Sequence, residues 1–444
     1  MTIGRMIAGT TLAKSLSVVL MLGASITVAR ALGPEKKGVL SYLVLMASTS
    51  IIVTSLGFDS LWGYFLGRNE QSRERIFGTA RTLSLAVGTA AMLMVLGWVV
   101  LDPRDTFKQH PVACLLLLAV PVTAALANTW RALLFGILRL GAANMGDLVA
   151  RALYLGAAVT LAWLGGLDIL AAVALTIVVH GAAALCFMIA LPPRRWPWRD
   201  REMLAKATGF ARWAYLASVS TYLLYRLDQA LIIWMIGEAE LGLYSIAVVA
   251  SEQLLLVSQA SQIVNLPLTA GRAAADEGHT PMLLRLNLGM LVFTAALLAL
   301  AAPWLVPLCF GADFAGSVPM LVALLPGVVF LGGARVLSSD LAGRGLIRQN
   351  SWRSVTALVA NLALNLLFIP RWGGTGAAVA TSIAYLLAFL LLLRDYRRVA
   401  PQNGLWRLLI PRQDDFRLAW RSLQRRASGP SPGGHTGATE REQQ

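Results

Sequence analysis

The sequence predicts an all-α integral membrane protein: twelve transmembrane helices in two six-helix bundles, related by a pseudo-twofold along the membrane normal. Three observations predict this. Of the 444 residues, 57% are hydrophobic and only 14% are charged, against about 25% charged in a soluble globular domain. Apolar runs of about 20 residues, the length that crosses a bilayer core, recur along the chain. A sequence echo about half a chain apart divides those runs into two sets of six.

The first set comprises 8–30, 38–58, 79–101, 111–135, 144–166 and 168–191. Arg5, the first apolar run and Ala29-Arg30-Ala31 superficially match a cleavable signal peptide. The same segment has a later counterpart, so it is read as part of the fold. Asp59 closes the second span. After the sixth comes "PPRRWPWRDREMLAK", Pro192–Lys206. Its prolines break a helix, its arginines face anionic headgroups and its tryptophans suit the interface. It reads as a cytoplasmic linker over 192–207, between an N-terminal bundle at 1–191 and a C-terminal bundle at 208–394.

The second set comprises 208–236, 241–266, 283–308, 317–341, 351–370 and 372–394. Residues 395–444 form a basic tail. In "FRLAWRSLQRR", Phe416, Trp420 and Leu423 share one helical face and Arg417, Arg421 and Arg425 another, as in a helix lying on a membrane. The Gly/Ser/Pro-rich end beyond it is expected to be disordered.

The echo pairs "LGPEKKGVLS" at 32–41 with "IGEAELGLYS" at 236–245, aligning Gly33 with Gly237, Gly38 with Gly242 and Ser41 with Ser245. A second echo pairs "AAVALT" at 171–176 with "AAVATS" at 377–382, each preceded by a glycine pair. Transporters built on such repeats bind substrate between the halves, near the midplane. With the N-terminus inside, twelve Lys/Arg fall in inner connections and six in outer ones, which places both termini in the cytoplasm.

Several chemistries are excluded. The net charge of +15 sits in the loops and tail, which argues against a nucleic-acid partner. There is no P-loop, HExxH or GxSxG. Cys114, Cys186 and Cys309 fit no metal or disulfide spacing, and the four histidines are scattered. No cofactor, no metal and no enzymatic activity is expected. "GGTG" at 373–376 lacks a preceding strand and reads as a tight turn after Pro370.

Charges inside spans are costly and mark function by default. Arg226 falls about 16 Å from Gly237, near the midplane. Glu252 falls at a similar depth. Asp228 points to another face of its helix, since residues two apart do not face each other. Arg226 therefore either faces a wet cavity or pairs with Glu252. Asp228 either ties its helix to a neighbour or binds a coupling proton or cation. Lys14 lies moderately deep in the first span, and Arg335 lies deeper than Asp340 in the tenth. Asp147 and Arg151 are spaced to pair on one helix face. Arg81, Arg131, Arg151 and Arg212 are placed near cytoplasmic ends.

Four segments carry a resemblance: "RALGPEKKGVLSYLVL", "SLGFDS", "RLDQALIIWMIGEAELGLYSIA" and "NLALNLLFIPRWGGTGAAVATSIAY". Over about 1–395 the chain resembles the oligosaccharide (Wzx-type) flippases of the multidrug/oligosaccharidyl-lipid/polysaccharide superfamily. The resemblance implies two MATE-like bundles around a cavity in a bacterial inner membrane. It implies alternating access that carries a polyprenyl-pyrophosphate-linked oligosaccharide to the outer leaflet, and polymerase machinery as a partner. The anionic head would bind basic residues, for which Arg226, Lys14 and Arg335 are the candidates. Asp228, Glu252, Asp340, Asp59, Asn361 and Asn365 are candidates for coupling or for structural polar contacts. Two alternatives stay open: a cation-coupled small-molecule exporter of the same superfamily, and a membrane glycosyltransferase or ligase.

Overall fold

The structure is a computed structural model. It describes residues 3–55, 62, 66, 73–102, 104, 106–192, 201–256, 258, 279–344 and 346–399. Asp59, linker residues 193–200 and the expected surface helix at 416–426 lie outside the described residues.

All regular structure among the described residues is helical. The elements are α1 (Ile3–Thr54), α2 (Arg73–Leu101), α3 (Thr106–Gln109), α4 (Pro111–Leu117), α5 (Ala119–Gly136), α6 (Leu140–Trp163), α7 (Ile169–Ala190), α8 (Arg201–Met235), α9 (Glu238–Glu252), α10 (His279–Phe310), α11 (Ser317–Gly343) and α12 (Ile347–Val399). Eight units of this set are long and apolar enough to cross a membrane: α1, α2, the pair α4–α5, α6, α7, α10, α11 and α12. Each expected span falls on helix as far as it is described. Boundaries shift by a few residues, as in α6, which starts at Leu140 and ends at Trp163, and helix α8 already begins at Arg201, inside the segment expected as linker.

Two of these elements are hairpins. In α12, Arg353 pairs with Asp395 and Asn361 donates to Thr381. Such partners meet only if the chain folds back, and it does so at Gly373 (φ 59°, ψ −141°). In α1 the break is Gly33 (φ 72°, ψ 173°). Thr10 and Ser17 on its first arm bond Asn144 and Arg151 of α6. On its second arm, Tyr42 donates to Asp102 at one end of α2, and Thr54 donates to Val87 midway along it. Gly237 (φ 138°) makes the matching turn between α8 and α9. Positive φ is strained for residues with a Cβ, which explains why the echo keeps glycine at both turns.

These turns lie on the face expected to be outer. Trp163, Trp234, Trp304 and Trp372 are exposed beside them, where indole rings suit a membrane interface. The first half packs α1 on α2, α6 and α7, with α5 against α2 and α7; the second packs α12 on α8 and α11, with α10 against α11. Between the halves, α1 packs on α8 and α9.

That interface holds the echo residues. A Cβ built on Gly38 would lie 1.8 Å from the Glu238 carbonyl oxygen, and one on Gly242 would lie 1.9 Å from that of Pro34. Pro34 and Glu238 are themselves echo partners. The contact is thus reciprocal, as a twofold between the halves requires. Arg104 pairs with Glu238 at 3.5 Å, and the Arg30 guanidinium donates to the Leu308 carbonyl. Both bonds join the two halves beside the seam.

Candidate functional site

The site grows from α8, whose middle carries "YRLD". Arg226 is nine residues from the end of α8 at Met235, a rise of about 14 Å. It points away from Asp228, as the helical geometry requires. Its Nη1 lies 3.1 Å from Glu252 Oε1, and its Nη2 donates to Oε2 at 3.3 Å. Both side chains remain about one-third exposed.

Asp228 is 1% exposed and faces the protein interior. Its carboxylate accepts from the Tyr244 hydroxyl at 2.5 Å, the Thr381 hydroxyl at 3.0 Å and the Gln229 N–H at 2.7 Å. It thereby ties α8 to α9 and α12. Thr381 also accepts from Asn361 Nδ2, and Asn365 Nδ2 bonds the Asn361 carbonyl one turn away. Asn361 thus bonds across helices, whereas Asn365 bonds within its own. The side-chain oxygens of both asparagines are buried without a donor among the described residues. Asp228, Thr381 and these two amides form one buried cluster rich in oxygen acceptors.

Arg335 of α11 lies over the Tyr225 ring, 5.6 Å from its centroid, a cation–π contact. Tyr225 packs edge-on against Tyr385 at 5.8 Å. Among the described residues no carboxylate pairs with Arg335. It borders a cavity of about 360 Å³ together with Thr221, Tyr225, Ser338, Arg353 and Ser354, whose other wall is leucine and alanine. On its other side it reaches an enclosed space of about 20 Å³, also lined by Asp228, Glu252, Thr381 and Tyr385.

The remaining candidates are dispersed. Lys14 is half-buried on the first arm of α1, about 28 Å along the helix from Gly33. That places it near the end of the arm remote from Gly33, shallower than expected and away from the level of Arg226. Asp340 is buried, accepting from Thr280 at 2.8 Å and pairing with Arg344 at 2.7 Å, so it ties α11 to α10. Asp147 does not pair with Arg151. It lies 3.9 Å from Arg131, while Arg151 donates to the Ser17 carbonyl. A carboxylate on the neighbouring α5 side of the helix is closer to Arg131 than the spacing rule anticipates.

One residue was misplaced by sequence reasoning. Arg151 was assigned to a cytoplasmic end because its span was started at 144. Helix α6 runs Leu140–Trp163, which puts Arg151 at its centre. Sequence reasoning also misses the Tyr/Thr groups around Asp228, whose signal is polar side chains at Tyr225, Tyr244, Thr381 and Tyr385 inside apolar runs.

Residues 27–319 match the family model described as polysaccharide biosynthesis protein. No curated protein sequence matches. Among solved structures, the chain is similar to the lipid II flippase MurJ in an inward closed conformation, with 14% identity, TM-score 0.69, and 96% of this chain and 93% of that one covered. It is also similar to a multidrug resistance MATE family transporter of the MOP superfamily in its inward-facing conformation, with 14% identity, TM-score 0.65, and 87% and 95% covered. A MOP superfamily transporter from Pyrococcus furiosus Vc1 gives 14% identity, TM-score 0.65, and 90% and 96% covered. These likenesses establish the fold, that of the MATE-like transporters, and the matched segment establishes the family: the chain is a multi-pass membrane protein that belongs to the polysaccharide biosynthesis protein family.

Proposed function

We propose that this protein flips a polyprenyl-pyrophosphate-linked oligosaccharide from the cytoplasmic to the outer leaflet of a bacterial inner membrane, by alternating access, with both termini in the cytoplasm. One observation carries the reading. Arg335, half-buried at membrane depth, borders a cavity whose wall mixes leucine and alanine with the hydroxyls of Thr221, Ser338 and Ser354, and half-buried Arg226 stands on the helix that supplies Thr221 and Tyr225 to that wall. A charge there is costly against lipid and favourable against a bound anion. A pyrophosphate on a polyprenyl chain combines the anion with the apolar stem that such a cavity accepts. The family assignment and the fold shared with a lipid II flippase support the same class of substrate.

The seam between the halves serves as the outer gate in this reading. In this reading the close approach of Gly38 and Gly242 to the opposite half keeps that gate shut, and substrate enters from the inner side. The Asp228 cluster forms one wall of the coupling site: Asp228 shares with Glu252 a small space that suits a monovalent cation or a proton, and it joins three helices of the second half. Surface-polysaccharide polymerase machinery is the expected consumer of the product.

Reconstitution tests this. Vesicles containing the protein should expose a fluorescent polyprenyl-pyrophosphate glycan to an outside reagent faster than empty vesicles do. A chain that moves only amphiphilic cations, and no lipid pyrophosphate, would instead be an exporter of small molecules.

A further inference from the structure

Glu252 differs in two respects from Asp228 and Asp340, two buried carboxylates of the second half. Asp228 is buried among neutral donors, and Asp340 is buried against Arg344. The Arg226–Glu252 pair instead keeps side-chain exposures of 30% and 35%, so it borders open space and not packed protein alone. The pair is a fork, with Nη1 facing Oε1 and Nη2 facing Oε2. Two phosphate oxygens present a guanidinium with the same fork. A phosphate can therefore replace the carboxylate without costing Arg226 a hydrogen bond.

Second, the helix is interrupted just after Glu252, at Gln253 and Leu254, before Leu255, Leu256 and Ser258 are helical again. Beyond it the Leu254 N–H bonds Ser251 and the Leu256 N–H bonds Gln253, an i→i+3 pattern. The side chains of Ser251 and Gln253 take the Val248 and Val249 carbonyls. The Glu252 carboxylate makes a place for a cation beside this interruption, which Arg226 fills. Glu252 also lines the enclosed space shared with Asp228, whose volume of about 20 Å³ holds one water-sized species.

We propose that Glu252 is an exchangeable counter-anion: the substrate's phosphate displaces it from Arg226, and the released carboxylate takes up one monovalent cation, a proton or a sodium ion. This rests on the substrate class proposed above. Once Arg226 turns to the phosphate, Glu252 and Asp228 face one small space inside the membrane. Two bare carboxylates there are costly, and cation uptake removes the cost. The groups facing Glu252 are Arg226, Tyr222, Tyr225 and Asp228 from α8, Arg335 from α11 and Tyr385 from α12. Among the described residues, no charged residue of α1 forms a salt bridge with Glu252. Arg335 is already engaged by Tyr225 and borders the cavity that would hold the phosphate.

The test uses the purified full chain and farnesyl pyrophosphate as probe, with affinity measured by calorimetry across neutral pH and with or without sodium. Wild-type protein should take up about one cation per probe bound, so its affinity should rise up to about tenfold per tenfold rise in that cation. Buffers of different ionisation heat identify a proton, and the sodium series identifies sodium. Glu252→Gln should bind the probe about tenfold more tightly than wild type where the cation is scarce, and should take up none. Binding by wild type with no cation taken up overturns the exchange, and so does weaker binding by Glu252→Gln. The wild-type stoichiometry decides alone if the variant does not fold. Absence of binding by both proteins instead sinks the substrate reading, and the exchange with it.

Discussion

Gly38 and Gly242 sit at echo positions in the two halves, and each lies against the backbone carbonyl of the residue four positions before the other, Glu238 for Gly38 and Pro34 for Gly242. Real Cβ atoms do not come within 3.0 Å of such an oxygen, so any side chain at either position must push the halves apart. In a cysteine-free background, Arg104→Cys and Glu238→Cys across the seam should be joined readily by a short thiol crosslinker. Adding Gly242→Val should cut that yield sharply, and should stop transport while the protein remains inserted. An unchanged yield would show that the seam is not held by this close approach.

The same turn region is pinned from within the second half by Glu240, whose carboxylate accepts from the Gly374 N–H at 2.7 Å. Glu240→Ala removes a charge-assisted bond and leaves the Gly374 N–H without it, a loss of about 1.5–3 kcal/mol. Glu240→Gln keeps an acceptor and should cost less than half as much. Thermal unfolding in detergent, compared among the three proteins, checks the order.

Asp228 should separate structure from coupling. Asp228→Ala orphans the Tyr244 and Thr381 hydroxyls and should destabilise the protein by about 1–3 kcal/mol for each buried group left unpaired. Asp228→Asn keeps the shape and a carbonyl acceptor. It should fold close to wild type while losing any dependence of transport on an ion gradient. Retained ion dependence in Asp228→Asn would move the coupling site elsewhere.

The topology rests on loop charge and is tested by fusion reporters. A reporter after Lys206 should read cytoplasmic, and one after Gly311 should read periplasmic. The reverse pattern would invert every statement about inner and outer faces.

Much of the fold was legible in the sequence because membrane helices announce themselves by length and hydropathy. The turns were legible because Gly33, Gly237 and Gly373 stand where backbone geometry excludes other residues. The echo marked the two halves, and the structure added that Gly38 and Gly242 meet the opposite half across a seam. What stayed hidden was azimuth and exact depth. Apolar residues surround a membrane helix on all faces, so hydropathy does not say which side faces protein. Hence Asp147 was assigned to Arg151 on its own helix, and its partner is Arg131 on another. A four-residue error in the start of α6 moved Arg151 from the centre to an end. Asp228 was placed on the correct face only because Arg226, two residues away, fixes the opposite one.

The central claim is that guanidiniums at membrane depth hold the pyrophosphate of a lipid-linked glycan. Losing one charge-assisted contact of about 1.5–3 kcal/mol lowers affinity roughly ten- to a hundredfold. The most direct measurement is flipping of a polyprenyl-pyrophosphate oligosaccharide in vesicles by wild type, Arg226→Lys, Arg226→Ala and Arg335→Ala, all shown to be folded. The account predicts rapid flipping by wild type, partial flipping by Arg226→Lys, and loss of about tenfold or more in each alanine variant. Equal flipping by wild type and by both alanine variants would contradict it.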